Sequence, residues 1–355
     1  MHSESPKPLL AALLLFTVLG LLLAFSPAPV SASVSCGATI KVNTVLTANV
    51  GPCWGNGLTI GANGITLNCN GHSIDGTGAG AGIALSGRTK VTVENCSVTG
   101  FHNGFLLTGS SSDTLTKNAA GRNLIGVYLS SSPSNKLTQN TANSNVFYGF
   151  YLYGSSNSNT LSGNTANNDG WGFYLYGSSG NTLSGNTATS NGAYGFYLYS
   201  SSSNNTLSGN TAKGNDNGFM VRSSSGNMLR ENRAYGNING LELWTATDNT
   251  LSENTASGNT NGLELDSANG NNLTKNTSTN NVDSGFYASG YVGGAVPSVN
   301  NIFVGNTAQS NSAYGYYDLS STTGTGTAGT ANVYKGDVCR YNGGACSNPV
   351  GLGAP

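Results

Sequence analysis

Asn181-Thr182-Leu183-Ser184-Gly185-Asn186-Thr187-Ala188, followed by Gly195-Phe196-Tyr197-Leu198-Tyr199, is a phrase this chain repeats many times. Its leucine returns as Leu115, Leu137, Leu161, Leu183, Leu207, Leu229, Leu251 and Leu273, in steps of 22 or 24 residues. The asparagine three places on returns with it, as Asn118, Asn140, Asn164, Asn186, Asn210, Asn232, Asn254 and Asn276. A fixed period of this size marks a solenoid, in which each repeat packs on its neighbours.

Three short apolar alternations fit in each period: Leu183 points inward first, Ala188 second, and Phe196 with Leu198 third and fourth. Asn and Gly separate them, and a Ser/Asn run such as Ser200 to Asn205 closes the coil. Short alternations broken by Gly, Asn and Ser read as strands joined by turns. After residue 36 no window carries an apolar face with helical spacing. The fold class is therefore all-β, a single-domain right-handed parallel β-helix of about 11 coils, each with three short strands. A leucine-rich repeat has a similar period, but it needs L-x-x-L-x-L-x-x-N where this chain has L-x-x-N-x-A.

In stacked coils equivalent residues lie about 4.8 Å apart, so an inward Asn can bond its own copies above and below. A second ladder follows five residues later, through Asn123, Asn145, Asp169, Asn191, Asn215, Asn237, Asn259, Asn281 and Asn311. Asn also tolerates the left-handed backbone that corners need. Both ladders read as structure rather than chemistry.

Residues 1–32 read as a secretory leader. Lys7 is basic, Leu9 to Phe25 carries no charge, and Val30-Ser31-Ala32 offers small-residue cleavage before Ser33. A retained membrane anchor is the alternative, which Pro27 and Pro29 argue against. An irregular opening spans 33–110, the regular coils 111–320, and a Gly/Thr connector with a disulfide-capped end 321–355. Export permits disulfides among the six cysteines. Proximity and end positions pair Cys36 with Cys53 and Cys339 with Cys346. Cys69 and Cys96 fall at near-equivalent places on neighbouring coils, where they either bridge or stack as small hydrophobes.

Charge is scarce: 14 basic and 15 acidic residues in 355, net −1. That excludes the basic face a nucleic acid or an anionic membrane requires. Scarcity has a structural cause too, since like charges in register on adjacent rungs repel.

The Cys36–Cys53 segment, Ile65-Thr66-Leu67, Asn70-Gly71-His72-Ser73-Ile74 and the N-x-L-x-x-N-x-A coils resemble exported parallel β-helix repeat proteins. That group is labelled after the periplasmic copper-binding accessory protein of nitrous-oxide reductase maturation, and it shares the pectate-lyase-like superfold. The resemblance runs over roughly residues 36–350. It implies a fold that hosts lyases, hydrolases, epimerases and plain binders alike. It also implies copper, for which the chain beyond the leader offers His72, His102, Met220 and Met228 without clustering them.

On the third strand Phe and Leu face in, so alternate residues face out. One outer column runs Tyr128, Tyr151, Tyr174, Tyr197, Met220, Glu242, Glu264, Tyr287, Tyr317; a second runs Tyr153, Tyr176, Tyr199, Arg222, Trp244, Asp266. Three coils thus display a two-by-three tyrosine patch, which with Trp244 suits the faces and hydroxyls of sugar rings. The competing account is sheet stabilisation by stacked aromatics. Beyond the patch charge appears: Asp169 is the only charged residue between Asn140 and Ala212, whereas thirteen lie from Lys213 to Asp283. Stacked Glu242 and Glu264 beside Asp266 would raise one another's pKa or take a cation such as Ca²⁺. With Arg222 as base, that is the equipment of an enzyme abstracting a proton beside a uronate carboxylate. Glu231 and Glu253 make a second such pair on the first sheet.

The sequence reading is an exported monomer, secreted, periplasmic or at the cell surface, that binds extended polysaccharide or a cell-surface glycan along its tyrosine face without catalysis. It has no nucleic-acid partner and no membrane partner once the leader is removed, and it demands no cofactor. The rivals are a polysaccharide lyase using Glu242, Glu264, Asp266 and Arg222, a cell-envelope spacer, and a copper accessory protein.

Overall fold

The structure, a computed structural model, describes residues 28–289, 296–320, 327, 330–344 and 346–348. Most of the leader reading (1–27) and most of the Gly/Thr connector lie outside the described residues. Val30–Ala32, at the expected cleavage point, form a strand paired in parallel with Thr44–Leu46.

The repeated phrase folds as the alternation dictates. Thr182–Ser184, Thr187–Thr189 and Tyr194–Tyr199 are the strands of one coil, one in each of three sheets. Each strand pairs with its equivalents on the adjoining coils, giving parallel sheets of 14, 13 and 14 strands among the described residues. These contain no α-helix. Register follows the repeat: Leu161, Leu183 and Leu207 align, as do Ala166, Ala188 and Ala212, and Phe173, Phe196 and Phe219. All nine are buried in one continuous core. The phenylalanines stack face to face at 4.7–4.8 Å. Each such side chain contributes about 1.5–3 kcal/mol on burial, and because every coil repeats the choice the core never needs to close on itself.

The asparagine ladders satisfy themselves as expected. Asn186 donates from its backbone N–H (2.9 Å) and Nδ2 (3.0 Å) to Asn210 Oδ1, and from Nδ2 to the Leu161 carbonyl (2.9 Å). Its own Oδ1 accepts the matching pair from Asn164. A third ladder, absent from the sequence reading, runs Asp113, Asn135, Asn159, Asn181, Asn205, Asn227, Asn249, Asn271 and Asn301. The corner conformation differs from expectation. The left-handed residue is the one before the ladder Asn: Lys117, Gln139 and Gly185 in one corner, Arg122, Ser144 and Asn168 in the next, Ser134, Ser158 and Asn204 in the third. The ladder Asn is thereby turned inward, where its amide replaces the strand hydrogen bonds a corner interrupts.

All three disulfides form. Cys36–Cys53 and Cys339–Cys346 pair as expected, and Cys69 bridges to Cys96, which settles the alternative left open above. Cys53, Cys69 and Cys96 are buried in the core of the opening coils, where register is least regular.

Candidate binding face

The third sheet carries the longest strands, six residues against three in the other two sheets of the same coil. In Tyr148–Tyr153 the side chains of Phe150 and Leu152 enter the core while those of Tyr151 and Tyr153 point out. The alternation breaks at the preceding glycine, because Gly149 and Phe150 are both buried and Tyr148 therefore faces outward. Only glycine fits that place. At the equivalent Gly172 a Cβ would stand 2.6 Å from the Gly195 carbonyl oxygen and 2.9 Å from Asn191 Nδ2.

The break creates a third outer column, Tyr148, Trp171 and Tyr194, which strict period-2 reading missed. An aromatic before Gly-Phe on three successive coils was the available signal. The two expected columns pair in register, Tyr128 through Tyr317 and Tyr153 through Asp266.

Exposure departs from the sequence reading. Tyr151 is only half-buried, but Tyr174 (6 % exposed), Tyr197 (3 %) and Met220 (1 %) are covered by the columns on either side. The central tyrosines lie nearly parallel, Tyr151 to Tyr174 at 4.9 Å and Tyr174 to Tyr197 at 5.2 Å. Burial pushes the Tyr197 phenol up to about 12 and those of Tyr151 and Tyr174 higher still, so all stay protonated. The central column is thus an outer core, and two aromatic flanks face solvent. On one side Tyr153 stacks on Tyr176 at 5.5 Å, and Tyr199 meets Tyr176 edge-on at 5.6 Å. On the other, Trp171 meets Tyr148 and Tyr194 edge-on at 5.2 and 5.1 Å.

Above Met220 the central column becomes acidic. Glu242 is buried, and its Oε2 accepts from Asn217 Nδ2 (2.7 Å) and Asn239 Nδ2 (2.8 Å). Asn261 in turn donates to Asn239 Oδ1 (3.2 Å) and approaches Glu264 Oε2 at 3.5 Å. Glu264 stacks on Glu242 as expected, with Asp266 beside it. Burial, then the charges of Glu242 and Asp266, push Glu264 up to about 7. Glu242 is raised too, by burial first, against the bonds from Asn239 and Asn217. Glu264 also borders a cleft of about 300 Å³ with Asn261, Asp283, Ser284, Tyr287, Tyr314 and Tyr317.

Several sequence-predicted roles find no support in this geometry. Among the described residues no group of three His, Cys, Asp or Glu side chains is arranged to hold a metal ion, and of the two alternatives for Glu242 and Glu264 beside Asp266 the raised pKa is the one this geometry supports. Arg222 lies over the Trp244 ring (4.0 Å) and near Tyr199 (5.6 Å). A guanidinium stays protonated, so it cannot serve as the base assigned to it. Glu231 and Glu253 sit at left-handed corner positions rather than on a sheet face. They line a separate cleft of about 420 Å³ with Arg233, and Glu231 pairs with Arg230 at 3.0 Å.

A profile of the family described as periplasmic copper-binding protein (NosD) matches residues 36–211 and 175–336. No curated protein matches the chain. Among solved structures it is similar in fold to a variant of the periplasmic alginate epimerase AlgG, with TM-score 0.52 and 18 % identity over 87 % of this chain and 79 % of that one. The A-module of the Azotobacter vinelandii mannuronan C-5 epimerase AlgE4 is similar at TM-score 0.52 and 15 % identity, over 90 % and 88 %. The Dettilon tailspike protein is similar at 0.54 and 15 %, over 75 % and 60 %. Among the described residues no helix is long and apolar enough to cross a membrane.

Proposed function

The chain belongs to the family described as periplasmic copper-binding protein (NosD), and from that premise and the aromatic flanks we propose that it is an exported β-helix that binds extended polysaccharide without cleaving it. The observation that carries this reading is the pair of flanks, Tyr148–Trp171–Tyr194 and Tyr153–Tyr176–Tyr199, running along the solenoid axis on either side of a buried column. A polymer laid along that axis meets a ring on each rung, about every 4.8 Å. The aromatic rings offer apolar faces to pyranose rings, and the phenols offer hydroxyls to sugar hydroxyls. The alginate epimerase and the mannuronan C-5 epimerase among its structural neighbours support a carbohydrate partner.

Copper does not fit the donor set. It takes imidazole, thioether and thiolate ligands. All described cysteines are in disulfides, Met220 is buried in the tyrosine stack, and His72 Nδ1 lies 3.2 Å from Asn49 Oδ1. His102 borders a cleft with Asn103 and Leu106, and Met228 stands exposed on the first sheet. We therefore derive no step through copper.

The Glu264 cleft favours a second reading, an enzyme acting on a uronate polymer. A carboxyl with its pKa near 7, beside Tyr287, Tyr314 and Tyr317, has the properties of a proton carrier. The test of both readings is the mature chain on a broad polysaccharide array, with and without Ca²⁺, followed by product analysis on any hit. Selective retention without products supports the binder. Unsaturated or epimerised products transfer the function to Glu264, and a blank array under both conditions removes the glycan reading.

A further inference from the structure

The second asparagine ladder has one member that is not an asparagine. Asp169 lies between Asn145 below and Asn191 above and is 3 % exposed. Its Oδ1 behaves as an asparagine oxygen, accepting the Asn145 backbone N–H at 2.7 Å and Asn145 Nδ2 at 2.8 Å. Its Oδ2 is buried and has no hydrogen-bond partner. That atom stands where every neighbouring rung puts an amide NH₂. Asn145 uses this group on Asp169 Oδ1 and the Ala120 carbonyl, and Asn191 uses it on Asn215 Oδ1 (3.0 Å) and the Ala166 carbonyl (3.3 Å). By the same register Asp169 Oδ2 faces Asn191 Oδ1 and the Ala142 carbonyl, both acceptors.

An ionised carboxylate would thus turn a bare oxygen towards two acceptors in a dry corner, whereas a carboxylic acid has one O–H to donate to either of them. Asp337, at the end of the first ladder, shows the contrast. Its second oxygen accepts the Lys335 backbone N–H at 3.1 Å, and the ionised form is satisfied there.

We propose that Asp169 is carried as a carboxylic acid that completes the ladder, and that loss of its proton to solvent loosens the coil bearing Trp171, making the aromatic face responsive to pH. Trp171 is two residues on, and the corner between them is tied by backbone bonds to the coils on either side. Gly170 N–H reaches the Asn145 carbonyl (3.2 Å), Trp171 N–H the Phe147 carbonyl (2.7 Å), and Gly192 N–H the Asp169 carbonyl (2.9 Å). No charged group faces Asp169. The rung below presents Asn145 and Gly149, the rung above Asn191, and its own coil Ala166, while the phenols of Tyr148, Tyr151 and Tyr174 point to the outer face. Between Asn140 and Ala212 no other Asp, Glu, Lys or Arg occurs. Burial accordingly pushes Asp169 up to about 7, against the two bonds from Asn145.

The experiment compares the wild type with Asp169→Asn in equilibrium unfolding from about pH 4 to pH 9 and in amide hydrogen exchange at Trp171. The variant restores the amide every other rung uses. It should fold, and the wild-type unfolding constant relative to the variant should climb by up to about tenfold per pH unit between the unfolded and folded pKa values, then level off. Protection of the Trp171 amide should fall in the wild type relative to the variant above about pH 7. Asp113 and the other carboxyls are common to both proteins and cancel. A ratio flat with pH, unchanged relative protection at Trp171, or a variant that fails to fold would each overturn the proposal. None of these readouts needs a glycan, so the result stands apart from the binding reading.

Discussion

The guanidinium of Arg222 sits 4.0 Å above the ring of Trp244, its partner on the next rung, and 5.6 Å from that of Tyr199, its partner on the rung before. It joins the aromatic half of the third sheet to the carboxylate half, and its charge partly offsets the burial that raises the pKa of Tyr197 and Glu242. Removing it with Arg222→Ala should cost about 0.5–2 kcal/mol in cation–π attraction. Chemical denaturation reads this directly, and a variant as stable as the wild type would mean that the stacking contributes nothing.

The flanks and the central column should separate by mutation. Trp171→Ala removes a ring of the flank and uncovers part of the central column without opening a cavity inside it, so retention on a bound polysaccharide should fall by about tenfold, or ~1.4 kcal/mol, with a smaller loss of stability than a truncation within the column. Tyr174→Ser opens a hole in the outer core and should destabilise by about 3 kcal/mol or more. Affinity chromatography paired with thermal unfolding distinguishes them. Equal retention by the Trp171 variant and the wild type would take the glycan off this face.

At Asn186 the side chain makes donor bonds to Asn210 and Leu161 and accepts two from Asn164. Asn186→Ala leaves buried partners on both neighbouring coils, at about 1–3 kcal/mol for each unsatisfied group. Because a solenoid coil touches only its neighbours, the loss should open the stack in the middle rather than at its ends. Hydrogen exchange should show protection lost at residues 160–210 before either terminus. A uniform loss over the chain would contradict the nearest-neighbour picture.

The fold was legible because one choice is made again on every coil. Leu183, Ala188, Phe196 and Leu198 each state a direction, and equivalents above and below repeat it until register has one solution. The ladder through Asn118 and Asn140 was legible for the same reason. The third ladder was not, because Asn181 and its equivalents stand in Ser/Asn runs where several residues compete for the inward place. The outer face was half legible. Columns follow from period 2, but Gly149 breaks that period and adds Tyr148 and Trp171, and once three columns stand side by side the middle one is buried. Exposure depends on the width of the sheet, which no single strand declares.

Glu264 supplies a pH signature of its own. Burial and the charges of Glu242 and Asp266 hold its pKa at about 7, against 4.5 for an ordinary glutamate. Between those values the folded chain keeps a proton that the unfolded chain has lost. The contribution of this group to stability is therefore greatest below about pH 4.5 and declines as pH rises towards 7, where the folded form ionises as well. Glu264→Gln holds the site neutral at every pH, so the stability difference between variant and wild type should grow across that window and level off above it. The same variant divides the two functional readings. A binder should keep its retention on the polysaccharide after Glu264→Gln, since the flanks are untouched, whereas an enzyme working through this carboxyl should lose its products while still holding the polymer. Equal pH dependence in the two proteins would show that Glu264 ionises normally and remove it as a proton carrier.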